Sequence, residues 1–217
     1  MNEPVIVAAV RTPIGRAFKG SLVDYRPDDL GALVIRSALD QVPNLDPAEI
    51  EDVLLGCAQP AGEQGYNLAR VSAILAGLTA TPGATINRYC ASSLQGIRTA
   101  AHAIAVGEGE VFVAAGVECV SRFSRGKSDG MPDTHNERFG AAEARSAQRA
   151  LGDSGVWEPI EGLPDVYIGM GQTAENVAEI EQVTRDAPGE VVARPGQRAA
   201  AAAAAGGGAR AAGAAGL

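Results

Sequence analysis

Segments with strand character alternate with segments of helical character through the first 120 residues. Short, β-branched apolar runs predict four buried strands, at residues 5–10, 53–57, 85–89 and 111–117. Apolar residues at helical spacing predict three intervening helices, at 27–38, 68–78 and 91–106. On the last of these, the predicted inward face carries Leu94, Ile97, Ala101, Ile104 and Ala105. This order predicts an α/β fold of right-handed βαβ units, with a mainly parallel sheet flanked by helices.

A polar insertion follows this alternation. Residues 121–164 mix Ser, Arg, Gly, Asp and Pro around one predicted helix at 141–151, and the segment is too long for a plain connection within a compact domain. The pattern then predicts a short extended piece and a last helix, at 166–168 and 173–183. We therefore interpret residues 1–120 as an α/β domain and residues 121–186 as a partial inserted loop subdomain.

The last 31 residues differ in composition from the rest of the chain. Between positions 187 and 217, 14 residues are Ala and 7 are Gly, without any periodic pattern of large apolar side chains. Such a segment cannot recover its ordering entropy by burial. We therefore expect residues 187–217 to form a disordered low-complexity tail.

Charge, hydropathy and cysteine content exclude several classes of protein. Asp plus Glu number 26 against 18 for Lys plus Arg, and the net charge of −8 disfavours a nucleic-acid-binding protein. No stretch approaches the ~18 apolar residues of a membrane-spanning helix. Three cysteines without a CxxC motif, beside only two histidines, predict neither a disulfide framework nor a metal site. We expect a protein of the reducing cytoplasm, with no nucleic-acid or membrane partner.

Cys90 is the residue whose position indicates chemistry. It lies where the third predicted strand turns directly into a helix. The positive end of the helix dipole and the free amides of the first turn favour a thiolate, and such amides also bind an oxyanion. Nucleophilic attack and charge stabilisation could therefore share one turn. A buried structural thiol is the alternative, because most free cysteines pack in protein cores.

Four motifs in order give the chain a family resemblance. They read AVRTPIG at residues 9–15, NRYCASSLQ at 87–95, GVECVSR at 116–122 and MGQTAEN at 170–176. With these motifs the chain resembles the thiolases, a family of acyl-CoA acyltransferases, from residue 5 to about residue 186. Ser93 stands where many thiolases have Gly. The resemblance covers the N-terminal half of a thiolase chain and implies the layered α/β fold of the family.

The resemblance also implies a reaction and its site residues. Cys90 is expected to attack the 3-oxo group of a 3-oxoacyl-CoA, release acetyl-CoA and pass the shortened acyl chain to a second coenzyme A. The reverse reaction condenses two acetyl units. Met170 falls in the motif that lies beside the acyl and pantetheine path in relatives, although a core methionine is the alternative. The expected partners are acyl-CoA, coenzyme A and further copies of the chain in a homo-oligomer or self-associated state, with no metal or redox cofactor.

Thiolases use residues that these 217 positions do not supply. Family members are nearly twice this length, and their second half provides an activating histidine, a water-positioning asparagine and a second catalytic cysteine. His102 and His135 fit surface histidines, and Cys57 and Cys119 fit packing thiols at strand ends. We expect a truncated thiolase with impaired catalysis. A shifted reading frame in GC-rich DNA after Arg185 would explain the Ala, Gly, Arg and Pro that follow, and sequencing the gene tests this hypothesis.

Three other interpretations stay open. The segment GMGQTA at 169–174 satisfies the GxGxxA pattern of a dinucleotide-binding turn, which requires a strand before it and a helix after it. A thiolase remnant or scaffold that keeps the half-fold without turnover is a non-catalytic alternative. A ketosynthase of the same superfamily also places a cysteine before a helix, but RTPIG at 11–15 and TAEN at 173–176 favour a thiolase.

Overall fold

The structure, a computed structural model, describes residues 2–125, 131–152 and 161–184, together with 197, 198, 200 and 201. The described residues up to 125 belong to one compact unit, and those from 131 onward belong to a second. Most of the predicted tail lies outside the described residues. Within the described part of the chain, no helix has both the length and the hydropathy that crossing a bilayer requires.

A parallel sheet of three strands forms the centre of the first unit. The strands are β1 (Ile50–Gly56), β2 (Gly83–Ile86) and β3 (Val111–Gly116), in the spatial order β2-β1-β3. Gly56 at the end of β1 is in register with Ile86 of β2 and with Gly116 of β3. The strands predicted from the second, third and fourth apolar runs are confirmed, with boundaries that differ by at most three residues.

Helices cover both faces of this sheet. They are α1 (Pro27–Leu39), α2 (Leu68–Leu75) and α3 (Ser92–Val106). On one face, alternate residues of β1 form a buried core with α1 and α2, whose members include Ile35, Val53, Leu55 and Leu68. On the other face, Leu54 and Gly56 of β1 lie against α3. This arrangement confirms the α/β fold with a mainly parallel sheet flanked by helices.

The strand predicted at residues 5–10 is wrong. This segment has no strand pairing, and Val5, Ile6 and Val7 are each more than 70% exposed. It lies along one side of an apolar cavity of about 600 Å³, and β3 lines the same cavity. A β-branched apolar run indicates a preference for extended backbone and for burial. It does not specify which strand edge, if any, will pair with the run. The sheet of the described chain therefore has three strands and not four.

The predicted inward face of α3 is wrong in part, because Ala101, Ile104 and Ala105 are half-buried but Leu94 and Ile97 are exposed. The buried residues of this helix are Ser92, Gly96, Ala100 and Ala103. Leu94, which we predicted to face inward, is 68% exposed. The reason is the short distance between α3 and the sheet, since a Cβ added to Gly96 would lie 3.1 Å from the backbone oxygen of Leu54. Only small side chains fit at this closest contact, and Leu94 lies outside it, whereas Ile97 and Ile104 line the cavity beside β3.

The second unit contains two described helices, α4 (Gly140–Ala150) and α5 (Met170–Ile180), close to the predicted positions. Arg149 of α4 donates a hydrogen bond to Asn176 of α5 at 2.8 Å, which ties the two helices together. The extended piece predicted at 166–168 is wrong, because 166 and 167 form a turn. The carboxylate of Asp165 accepts a hydrogen bond from the backbone nitrogen of Tyr167 at 3.0 Å. Such a local bond stabilises a turn in competition with extended backbone.

Candidate active site

Cys90 lies in the connection between β2 and α3, at the carboxyl edge of the sheet. A single 3₁₀ turn, Tyr89–Ala91, precedes the start of α3 at Ser92. Cys90 is a free cysteine with an exposed side chain, so it is not the buried structural thiol considered above. The thiol stands at the N-terminus of a 15-residue helix, whose first amides have no acceptor within the helix.

Two glycines in register form the floor under the first turn of α3. Gly56 is the last residue of β1, and Gly116 is the last residue of β3. A Cβ added to Gly56 would lie 2.5 Å from the backbone nitrogen of Ser93, and one added to Gly116 would collide with the Ser93 hydroxyl. Only residues without a side chain allow the helix to approach the strands this closely. The two glycines therefore set the distance between the Cys90 turn and the ends of β1 and β3.

A polar network joins the loops that follow β1 and β3. Glu118 accepts hydrogen bonds from the backbone nitrogen of Ala58 and from Nε2 of Gln64, both at 2.7 Å. Oε1 of Gln64 accepts a hydrogen bond from the backbone nitrogen of Cys119, also at 2.7 Å. Gln64 is buried and uses both ends of its amide in these contacts. The network therefore holds two of the strand-end loops that border the candidate site.

Cys57 and Cys119 are buried free thiols, in agreement with their predicted packing role. Burial, together with the nearby Glu118 carboxylate, raises the pKa of Cys57 to about 12. Burial also raises the pKa of Cys119 to about 11, although Arg122 acts in the opposite direction. Both thiols therefore keep their protons at neutral pH, which makes them poor nucleophiles.

The raised pKa of Cys57 predicts a loss of stability in alkali. Below about pH 9, both the folded and the unfolded chain hold this proton, so the stabilising effect is fully present. As the pH rises toward about 12, the unfolded thiol ionises first and the free energy of unfolding falls. We expect urea unfolding at a series of pH values to show that the free energy of unfolding falls less steeply with pH in Cys57→Ala than in the wild type. This dependence on pH is the slope to be compared. Thr99→Ala, at an exposed position without a titratable group, should keep the wild-type slope, and equal slopes in all three proteins would contradict the prediction.

The other candidate residues lie apart from the Cys90 turn or in the second unit. His102 is exposed on α3, twelve residues after Cys90, which corresponds to about 18 Å along a helix axis. His135 belongs to the second unit, where its Nδ1 lies 2.8 Å from a carboxylate oxygen of Glu143. Both histidines are exposed, as predicted. Met170 begins α5 of the second unit with a 77% exposed side chain, and its role in binding substrate stays a prediction.

The dinucleotide-binding alternative lacks its required context. Gly169 directly precedes α5, but the residues before it form a turn and not a strand. The GxGxxA pattern indicates a dinucleotide site only between a strand and a helix. As for metals, the described residues contain no group of three or more His, Cys, Asp or Glu side chains placed to hold an ion.

Sequence reasoning did not identify the glycine floor, Gln64 or Ser92. A signal for the floor was available, because Gly closes two neighbouring strands and often marks a close approach of another backbone. Ser92 belongs to the residue types that bond to nearby backbone, and this tendency alone does not distinguish it from the adjacent Ser93. Gln64 carries no comparable local signal.

The geometry defines an α/β protein that presents a free, exposed thiol at the carboxyl edge of a parallel sheet, where proteins of this architecture bind ligands. The sequence model of the family described as thiolase, N-terminal domain, matches residues 4–208. The chain belongs to the thiolase family. The match extends past residue 186, into the segment that we predicted as a tail.

Several curated thiolases are similar to the chain. A 3-ketoacyl-CoA thiolase of Aeromonas hydrophila is 38% identical over 200 residues, which cover 92% of this chain and 46% of the relative. The 3-oxoadipyl-CoA/3-oxo-5,6-dehydrosuberyl-CoA thiolase of Escherichia coli K12 is 40% identical over 207 residues, with 92% and 48% covered. A 3-ketoacyl-CoA thiolase of Bacillus subtilis is 39% identical over 201 residues, with 92% and 45% covered. The chain spans about half the length of these relatives, and its resemblance to the N-terminal half of the family is confirmed.

Proposed function

We propose that the chain takes part in acyl transfer between acyl-CoA and coenzyme A, with Cys90 as the nucleophile. In the thiolytic direction, the Cys90 thiolate attacks C3 of a 3-oxoacyl-CoA. The C2–C3 bond breaks, its electron pair leaves with C2, and a proton completes acetyl-CoA. The shortened acyl group remains on sulfur as a thioester until the thiolate of a second coenzyme A displaces Cys90. The reverse sequence condenses two acetyl units.

The exposed position of the Cys90 thiol, at a helix N-terminus, is the observation that carries this proposal. The other two thiols are buried and protonated, and the family consists of enzymes that work on acyl thioesters. Thiolysis is redox-neutral overall, because the oxidation of C3 to the thioester level is balanced by the reduction of C2 to a methyl group, so the proposed reaction needs no redox cofactor. We place it in lipid metabolism, as in fatty acid β-oxidation. Free thiols fit the reducing cytoplasm, which is the proposed location.

Intact-mass analysis after incubation with acetyl-CoA tests the proposed nucleophile. We expect the wild-type chain to gain one acetyl group, which peptide mapping should locate on Cys90. Cys90→Ala should remain unmodified, whereas the matched variant Cys57→Ala should be acetylated like the wild type. An unmodified wild-type chain, or acetylation at another residue, would contradict the assignment.

We also propose that the chain self-associates through exposed apolar side chains. Leu94 and Val106 of α3 are 68% and 75% exposed, and the segment at residues 5–7 adds further apolar surface. Light scattering should therefore detect particles larger than the 22.1 kDa chain. Leu94→Lys should reduce their size, whereas Thr99→Lys, at an exposed polar position of the same helix, should not. A monodisperse monomer would contradict the proposal.

A further inference from the structure

The backbone immediately before Cys90 has an unfavourable conformation. Tyr89 has a φ of +46°, which lies in the left-handed region that a residue with a side chain occupies at an energetic cost. The Tyr89 side chain is itself exposed, so packing of the ring does not account for this conformation. Other groups must therefore hold the turn that carries the thiol.

Ser92 and Asn87 are those groups. The Ser92 hydroxyl accepts a hydrogen bond from the backbone nitrogen of Arg88 at 2.9 Å and donates one to the carbonyl oxygen of Tyr89 at 2.6 Å. Oδ1 of Asn87 accepts a hydrogen bond from the backbone nitrogen of Tyr89 at 2.9 Å. Three successive peptide groups, from residue 87 to residue 90, are thus each anchored by a side chain. Ser92 is only 3% exposed, which shields its hydroxyl from competing water.

We propose that Ser92, assisted by Asn87, is a positioning residue for the Cys90 thiol. The Tyr89 carbonyl and the Cys90 nitrogen belong to one rigid peptide plane, so a hydrogen bond to that carbonyl fixes the plane from which the Cys90 side chain departs. Ser92 itself rests on the glycine floor, since a Cβ added to Gly56 would lie 2.9 Å from the Ser92 Cβ. The Ser92 hydroxyl therefore fixes the direction of the Cys90 side chain relative to the sheet. This role rests on the proposed function of Cys90 as the acylated residue.

The rate constant for acetylation of Cys90 in the full chain tests this role. With acetyl-CoA as the donor, Ser92→Ala should be acetylated about 10²-fold more slowly than the wild type, which is the typical cost of misplacing a reacting group by about 1 Å. Alkylation by iodoacetamide requires an exposed thiol but no fixed direction of approach, so its rate should change far less. Ser93→Ala, a change at the adjacent exposed serine, should leave both rates as in the wild type. A merely structural role of Ser92 would leave the ratio of the two rates unchanged.

Asn87 provides a second pair of variants, which decides the question if Ser92→Ala does not fold. Its side chain is exposed, so its replacement leaves the core intact. Asn87→Asp keeps an acceptor oxygen for the Tyr89 nitrogen and should retain most of the acetylation rate. Asn87→Ala removes this acceptor and should lose most of the acetylation rate.

The possible results separate the two proposals. If Ser92→Ala folds and is acetylated at the wild-type rate, the positioning role is overturned and the proposed function stands. If Ser92→Ala does not fold, equal acetylation rates of Asn87→Asp and Asn87→Ala have the same meaning. A wild-type chain that is not acetylated at Cys90 would overturn the proposed function, and the positioning role with it.

Discussion

Replacing Gly56 with alanine is expected to lower the free energy of unfolding by about 1–3 kcal/mol and to slow the acetylation of Cys90. The added Cβ would lie 2.5 Å from the backbone nitrogen of Ser93 and 2.7 Å from the carbonyl carbon of Ser92. These are backbone atoms, which cannot turn aside as a flexible side chain can. Either α3 must move away from the sheet or β1 must shift, and both movements displace the Cys90 turn. Urea unfolding measures the first effect, and intact-mass kinetics measure the second.

Gly171→Ala is the matched control for this substitution. Gly171 lies in α5, and no atom lies within 4 Å of a Cβ added there. Alanine favours a helix interior over glycine by roughly 0.5–1 kcal/mol, so this variant should be as stable as the wild type or slightly more stable. For the acetylation rate the control is Gly140→Ala, at the start of α4, where an added Cβ also meets no described atom within 4 Å and the rate should be unchanged. A Gly56→Ala variant that unfolds at the wild-type urea concentration would contradict the close contact between α3 and β1.

The strands of the sheet could be predicted because parallel strands are buried on both faces. Their apolar runs are therefore almost continuous, and the helices between them repeat apolar residues at a different period. The position of Cys90 could be predicted for a related reason. A strand that runs directly into a helix places its last residues at the carboxyl edge of the sheet, whatever the detailed packing.

The N-terminal segment and the face of α3 could not be predicted from the same patterns. Residues 5–10 have strand composition, but pairing depends on where a free edge lies in space. On α3, hydrophobicity identified Leu94 as inward, whereas the floor at Gly56 admits only small side chains on that face. A pattern of apolar residues therefore indicates that a helix is amphipathic, but the distance between helix and sheet decides which face is buried.

The hydrogen bonds that hold the Cys90 turn depend on backbone geometry and not on residue type alone. Serine and asparagine bond to local backbone in many arrangements. Here the positive φ of Tyr89 brings its nitrogen to Asn87 and its carbonyl oxygen to Ser92. This conformation is not evident from the sequence, because tyrosine rarely occupies the left-handed region. Sequence analysis therefore predicted Cys90 as the nucleophile but did not identify the residues that we propose to position it.

We expect that no residue of this chain fills the two proton-transfer roles at Cys90. Because each missing role typically costs about 10²-fold or more, steady-state thiolysis by this chain alone should be slower than that of the curated relatives by about 10⁴-fold or more. One role removes the proton of the attacking thiol, and the other delivers a proton to the departing C2. Within the first unit, His102 lies ten residues beyond the start of α3 at Ser92, which corresponds to about 15 Å along the helix axis. Cys57 and Cys119 hold their protons, with pKa values of about 12 and about 11, far from the value near neutrality that suits an acid or base.

Formation of acetyl-CoA and consumption of free coenzyme A, both measured with a 3-oxoacyl-CoA as substrate, distinguish an enzyme from a non-catalytic remnant. In the first half-reaction, solvent can slowly accept the thiol proton and supply the proton at C2, so slow single acylation of Cys90 is expected without repeated turnover. Cys90→Ala should abolish even this step, while Cys57→Ala should not alter it. Steady-state turnover that disappears in Cys90→Ala would show that the chain itself supplies both proton transfers. A wild-type chain that is never acylated would instead favour the remnant, in which the thiolase half-fold persists without its chemistry.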